Sequence, residues 1–359
     1  MKISAAVLGA GEWARSAHIP ALLAAPDVDL VACADSDVER ARAAAREFGI
    51  PAAYGSLDAM FASESDLSLL VIAAPDDVHP IAISAALDRK IAVFCEKPLA
   101  NDVEIAESLS TLAERAGVPA TVGYSFRYSP AVQALRADLA AGALGVPWLI
   151  EVAEHNAQFH PLLGKKMNWK GDPAHAAGGA LFEYGSHVLD LCSWLLGPIE
   201  SVTSHLVRVL PDAKLDDIAT LQLKFAGGAA GTLVSSWLLT GGFPGIRIRL
   251  HSSQGLFEVE LNDTVPNRER YVQYNLDGSV GHERDLPATI TDRSSYARLH
   301  LADLLAELRI NGSTPTSSTL PTIRQAFETQ RVLECALAAT ASWVDVAPGA
   351  AIASLFPQR

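Results

Sequence analysis

From residue 3 to residue 122 the chain alternates short apolar runs with longer amphipathic stretches. Ile3 to Leu8 is apolar and ends in glycine. Leu30 to Ala34 is a second run, ended by Asp35. Leu69 to Ala74 is stopped by Pro75, and Ile91 to Cys95 and Pro119 to Val122 follow. Such runs suit strands buried on both faces. Ser36-Asp37-Val38-Glu39 reads as a capping box opening a helix that stops at Gly49, and Asn101 to Glu104 looks like another helix start. Strand and helix alternating in this way predict a parallel sheet covered on both sides, and right-handed crossovers make it doubly wound.

Near Tyr124 the pattern changes. Ser129-Pro130 reads as cap and first turn of a helix. After Trp148 the period becomes two: Ala219, Leu221, Leu223 and Phe225 alternate with Thr220, Gln222 and Lys224. Gly227-Gly228 joins this strand to Ala230–Trp237 as a hairpin, and Asp277-Gly278 is another hairpin signal. Further strands are expected around Ile246–His251 and Leu256–Leu261. The whole predicts a largely antiparallel sheet with one covered face. Two helices, from about Asp292 to Ile310 and from Pro321 to Ala339, close the chain. The expected organisation is a Rossmann domain over 1–123 and an α+β domain over 124–359, whose last helices can pack back on the first.

Composition narrows the function classes. The chain has 359 residues, 49% hydrophobic and 19% charged, with a net charge of -13. An acidic chain with no basic run has no electrostatic footprint for nucleic acid or anionic membranes. Cys33, Cys95, Cys192 and Cys335 lie far apart, without zinc-like spacing, so neither a metal site nor a disulfide framework is expected, and a reducing cytoplasm is. The start shows no cleavable signal pattern. No apolar run approaches the roughly 20 residues that span a bilayer.

An anionic ligand therefore needs local donors, and the first turn offers them. Gly9-Ala10-Gly11-Glu12-Trp13-Ala14 stands between a strand and a helix. Gly9 permits the tight turn, Gly11 lets the backbone approach a pyrophosphate, and Ala14 allows close helix–strand packing. Asp35 ends the second strand at the distance expected of a ribose-binding acid. Its carboxylate repels a 2′-phosphate and favours NAD. Arg40, one turn on, partly offsets that and leaves NADP use open.

Two more stretches carry candidate chemistry. Cys95-Glu96-Lys97-Pro98 lies at the carboxyl end of a parallel strand, where ligands bind in open α/β sheets. From Gly178 to Pro198 a single helix is expected, with Leu181, Tyr184, Val188, Leu191 and Leu195 as its buried stripe. Glu183, His187 and Asp190 share another face, so Glu183 could orient His187 as a general acid/base. A solvated face is the plainer reading of the same spacing.

Taken together, the chain resembles the Gfo/Idh/MocA oxidoreductases, a family of sugar, inositol and related dehydrogenases. The matching residues are Gly9 to Ala14, Ala74-Pro75 with His79, Glu96-Lys97-Pro98, Gly123 to Pro130, Trp169 with Asp172, Gly178-Gly179, and Glu183 to His187. The resemblance implies that Glu12, Trp13, Ala74, Pro75, His79 and Glu96 contact the cofactor. It implies that Lys97 contacts nicotinamide ribose and substrate, that His187 is the acid/base, and that Tyr124, Arg127 and Trp169 line the substrate pocket. Many members carry aspartate where Glu183 stands, so Glu183 either supports His187 or sits in the pocket and helps choose the substrate. His155, Asn156, Gln158, His160 and Asp172 are further candidate pocket residues.

The implied reaction is hydride transfer between a secondary alcohol of a sugar, inositol or related polyol and NAD(P). Lys97 would hydrogen-bond the reacting oxygen and Glu183 would hold the His187 imidazole. Two rivals remain: a non-catalytic sensor on the same fold, and related chemistry such as imine, biliverdin-type or anhydro-ketose reduction or an NAD-dependent lyase. The resemblance also implies a homodimer or homotetramer built through the antiparallel sheet.

Overall fold

The structure is a computed structural model that describes residues 2–160, 163–164, 171–172, 178–210, 213–239, 245–261, 268–310 and 316–339. The first part runs β1 (Ile3–Leu8), α1 (Ile19–Ala24), β2 (Val28–Ala34), α2 (Val38–Phe48), β3 (Ala52–Tyr54), α3 (Leu57–Ser63), β4 (Leu69–Ile72), α4 (His79–Asp88), β5 (Ala92–Cys95), α5 (Val103–Ala116) and β6 (Ala120–Val122). The six strands lie in the order β3-β2-β1-β4-β5-β6, and every neighbouring pair is parallel. This is the doubly wound sheet the apolar runs predicted. The strand order reverses between β1 and β4, so the turns after them flank the crevice where such sheets bind ligands.

Two details differ from expectation. Asp37, not Ser36, caps α2, its carboxylate accepting from the Glu39 and Arg40 N–H groups. The edge strand β3 and helix α3 went unread, because three residues of Ala-Ala-Tyr give no periodicity to detect.

The second part continues with α6 (Pro130–Ala140), β7 (Pro147–His155), α7 (Ser186–Leu196), β8 (Ile199–Val207), β9 (Ile218–Phe225), β10 (Ala230–Ser236), β11 (Gly245–Ser252), β12 (Gly255–Leu261), β13 (Arg270–Tyr274), β14 (Val280–Glu283), α8 (Ser294–Arg309) and α9 (Ile323–Ala338). Its eight strands are ordered β14-β13-β12-β11-β7-β10-β9-β8. Only the β7–β10 pair is parallel. One face packs Ile150, Val152, Leu221, Leu223, Ile248 and Val259 under α6 and α7. The other carries a ladder of charges. Glu151 pairs with Arg249, Arg249 with Glu258, Arg247 with Glu260, and Arg270 with both Glu260 and Glu283.

Helices α8 and α9 return to the first part. Leu301, Leu304 and Leu305 enter the core around Ala5, Val7 and Phe94. Ile323, Ala326 and Phe327 enter the core on the other face of the parallel sheet. Thr121 donates to the Pro321 carbonyl at 2.6 Å and meets His300 at 2.8 Å. The two parts thus share cores rather than a thin seam. No helix among the described residues is long and apolar enough to cross a membrane.

Candidate active site

Gly9 leaves β1 with φ +94°, and a Cβ there would sit 2.4 Å from the Ala73 carbonyl oxygen. Only glycine lets the turn pass this close to the end of β4. At Gly11, by contrast, nothing lies within 4 Å of where a side chain would begin. It opens onto a groove of about 570 Å³ lined by Ala10, Gly11, Glu12, Arg15, Ser16 and Arg40. A bare backbone facing an open groove at a helix start fits a pyrophosphate. Ala14 is buried and packs in the β1 core, as close helix–strand packing requires.

Asp35 is more occupied than the sequence suggested. Oδ2 accepts the Ala10 N–H at 2.9 Å and Oδ1 accepts the Asp37 N–H at 2.9 Å. Arg40 reaches both oxygens, at 3.2 and 3.3 Å. The acid braces the glycine turn, and a ribose hydroxyl would take the place of Arg40. His79 is fully buried between the Pro98 carbonyl, 2.8 Å from Nδ1, and the Ala74 carbonyl, 3.0 Å from Nε2. It does not line the groove as a cofactor contact would; it ties the loop Ala74-Pro75 to the loop after β5.

That second loop carries the reactive groups. Glu96 Oε1 accepts from Trp13 Nε1 at 2.8 Å and lies 2.7 Å from His18 Nε2. Burial alone would raise the Glu96 carboxyl, but the His18 ring, the Trp13 indole and the Lys97 ammonium bring it down to about 2. It is a fixed anion beside the glycine turn. Lys97 donates to the Glu183 backbone carbonyl at 2.8 Å and lies 3.1 Å from the Glu183 carboxylate.

The helix bearing Glu183 and His187 is not one uniform α-helix. Leu181–Gly185 forms a π-helical turn before α7, just as Ala14–His18 does before α1. Such turns appear often at functional sites because they re-aim side chains. Asp216 fastens the start of the segment, accepting the Gly179 N–H at 3.0 Å and the Leu181 N–H at 2.9 Å. The expected solvated face is absent: His187 and Asp190 are both buried.

His187 faces Tyr124 and Phe126, with ring centroids 5.8 and 4.9 Å away. Burial first, then the charges of Lys97 and Arg293, push its imidazole well below the usual histidine range. Its Nδ1 is buried with no partner among the described residues. The Glu183 carboxylate lies 3.1 Å from the Lys97 ammonium, and its charge acts on the His187 imidazole in the opposite sense to those two cations.

Of the remaining candidates, Tyr124 reaches the site, with a buried hydroxyl that has no partner among the described residues. Arg127 does not line a pocket. It forms a buried pair with Asp190, at 2.8 and 2.6 Å, and donates to Gln325 at 2.9 Å. Gln158 accepts from the Tyr184 hydroxyl. His155 ends β7 half-buried, its ring lowered by burial and by Arg247. Asn156 donates to Glu154 at 2.9 Å. Buried His160 Nδ1 has no partner among the described residues. Asp172 lies at the surface, 3.5 Å from Lys214. Trp169 falls outside the described residues. The sequence reading missed His18, Asp216 and Arg293. His18, in an apolar helix, and Asp216, just before an alternating strand, are polar residues at buried positions and could have been flagged; Arg293 gave no signal.

Residues 3–124 match a family described as an oxidoreductase family with NAD-binding Rossmann fold, and residues 132–258 match the GFO/IDH/MocA C-terminal domain. A D-apiose dehydrogenase from Paraburkholderia graminis is 30% identical over 236 residues, covering 66% of this chain and 61% of that protein. The match thus spans about three fifths of that relative's length. A putative UDP-kanosamine synthase oxidoreductase subunit from Amycolatopsis mediterranei is 35% identical over 199 residues, 55% of this chain and 53% of that one. Among solved structures, a levoglucosan dehydrogenase in complex with NADH and levoglucosan has a TM-score of 0.84 at 20% identity, over 96% of this chain and 100% of that one. An oxidoreductase domain protein from Kribbella flavida has 0.83 at 23%, over 95% and 97%. At that identity the two structures speak for the fold alone.

Proposed function

The chain belongs to the GFO/IDH/MocA oxidoreductase family, and we propose that it oxidises or reduces a secondary alcohol or ketone of a sugar, inositol or related polyol with NAD(P). The observation that carries this reading is the meeting of Lys97, from the Rossmann sheet, with the π turn that leads into His187, at 2.8 Å. A nicotinamide cofactor bound over the Gly9–Gly11 turn would supply the hydride acceptor or donor. Trp13, Glu12, Asp35, Arg40, Ala74, Pro75, Glu96 and Lys97 would hold it.

The chain's own residues divide the rest of the work. The Lys97 ammonium has three donors. One goes to the Glu183 carbonyl and one faces its carboxylate, which fixes the head and leaves a proton for the substrate oxygen. That bond strengthens as negative charge grows on the oxygen. His187, kept neutral by burial and by the two cations, takes the hydroxyl proton in oxidation and returns it in reduction. Glu183 holds the Lys97 ammonium in place through its carbonyl and its carboxylate. Tyr124 has a spare buried hydroxyl for a polyol substrate, whose hydroxyls must each be paired once buried.

The four cysteines are free, which fits a reducing cytoplasm, and we place the protein there. The test of function is turnover of sugars and inositols with NAD(H) and NADP(H). Lys97→Ala and His187→Ala should each lower kcat by about 10²-fold or more while NADH still binds. Near-normal turnover in either variant sinks that residue's role. Because neutral imidazole persists below pH 6.5 in the folded protein, the acid limb of kcat/KM that belongs to His187 should lie below 6.5.

A further inference from the structure

Glu96 is held on three sides. Its Oε1 accepts from Trp13 Nε1 at 2.8 Å and from His18 Nε2 at 2.7 Å. An ionised carboxylate can only accept, so the Nε2 side of His18 carries the proton. The other oxygen, Oε2, lies against the bare backbone of Gly123, where a Cβ would stand 2.8 Å away. His18 is fully buried and packs edge-on against Phe94, with ring centroids 4.9 Å apart. Its Nδ1 is buried with no partner among the described residues. A buried nitrogen left bare costs stability, so the contact with Glu96 is kept against that penalty.

The two donors come from one short stretch and are five residues apart. On an α-helix five residues turn through about 500°, which leaves their side chains on different faces. The π turn over Ala14–His18 has the wider i to i+5 repeat and brings Trp13 and His18 to one carboxylate. The segment that follows the glycine turn is therefore shaped to fix the head of a residue from the end of β5.

The sheet decides where that charge stands. Asp35 follows β2 and Glu96 follows β5, on opposite sides of the turn after β1. A dinucleotide centred on that turn, with its adenosine ribose at Asp35, carries its nicotinamide toward β4 and β5. The Glu96 side chain keeps 16% of its surface exposed, so it is braced without being sealed. Burial works against its charge, but His18, Trp13 and Lys97 hold the carboxyl at about 2, and it stays ionised through any ordinary assay. Lys97, the next residue, has the Glu183 carboxylate 3.1 Å away, so its own charge is already matched.

A nicotinamide ring carries a positive charge in NAD+ and none in NADH. We infer that Glu96, with Trp13 and His18 as its positioning residues, makes the site prefer the oxidised cofactor by setting a fixed negative charge against that ring. The inference rests on the reading that this site binds NAD(P). A fixed anion stabilises the charged ring more than the neutral one. NADH formed by an oxidation is then released more readily than NAD+ is.

The experiment measures dissociation constants of NAD+, NADH and ADP-ribose, by calorimetry and nicotinamide fluorescence, for wild type and four variants. Glu96→Gln should weaken NAD+ relative to NADH about tenfold and leave ADP-ribose unchanged. Trp13→Phe and His18→Leu each remove one donor and should move the ratio the same way by a smaller factor. His18→Gln, whose amide can donate to the same oxygen, should restore part of it. Equal weakening of NAD+ and NADH by Glu96→Gln overturns the inference, because a merely structural carboxylate would act in that way. So does a loss of ADP-ribose affinity as large as that of NAD+. Should Glu96→Gln fail to fold, Trp13→Phe carries the decision, and an unchanged ratio there overturns the inference. A shifted ratio in a protein that moves no hydride to or from any sugar or inositol would leave the inference standing and defeat the proposed function.

Discussion

Asp35 is bound on both oxygens before any nucleotide arrives. Ala10 and Asp37 hold one lone pair each, and Arg40 lies across the rest. A nucleotide with a free 2′-hydroxyl must displace Arg40, whereas one with a 2′-phosphate can use it. Arg40→Ala should therefore lower the ratio of NADP(H) to NAD(H) kcat/KM about tenfold, read from parallel assays; an unchanged ratio would show that Arg40 has no part in the choice. The sequence placed Asp35 and Arg40 correctly beside the turn, since both follow from spacing. It could not show that the acid's first duty is to the backbone of Ala10. Glu183 teaches the same thing. Four residues before His187 is the distance of a neighbour on an α-helix, but that spacing does not reveal the Lys97 ammonium 3.1 Å from the same carboxylate. Pairings between residues 86 apart are decided by tertiary packing, which spacing does not encode.

The elements were read more completely than the contacts between them. Apolar runs revealed β1, β2, β4, β5 and β6, and alternation revealed β9 and β10, because burial on two faces or on one leaves that mark in sequence. The two π turns left none. The His187 segment owes its position to an acid from elsewhere: Asp216 takes two N–H groups at its start, and a side chain at Gly179 would begin 2.0 Å from the Asp216 carbonyl. Replacing Asp216 by alanine strands two buried donors and should cost about 3 kcal/mol, seen as a lower urea midpoint. Turnover should fall beyond what the stability loss explains, since Lys97 anchors to the same segment. A variant as stable and active as wild type would show that the segment holds its own shape.

At the scale of the whole molecule, the open face of the eight-stranded sheet carries an ordered pattern of charges. Its ion pairs reach over five strands, from Glu151 on β7 to Glu283 on β14, with Trp148 exposed at one end. Two copies of this face related by a twofold axis would set like rows against like, with alternating signs able to interlock. A dimer or tetramer is expected by light scattering at micromolar concentration; a monomer there would refute assembly through this sheet. The way the two cores are shared has a consequence in time rather than space. Leu301, Leu304 and Leu305 finish the core around β1, which is made some three hundred residues earlier. On a ribosome, the first sheet must wait on the order of ten seconds or more before its last wall emerges. Until then Ala5, Val7 and Phe94 lack their cover. A nascent chain stalled before residue 292 should be captured by holding chaperones and cut by proteases that spare the finished protein.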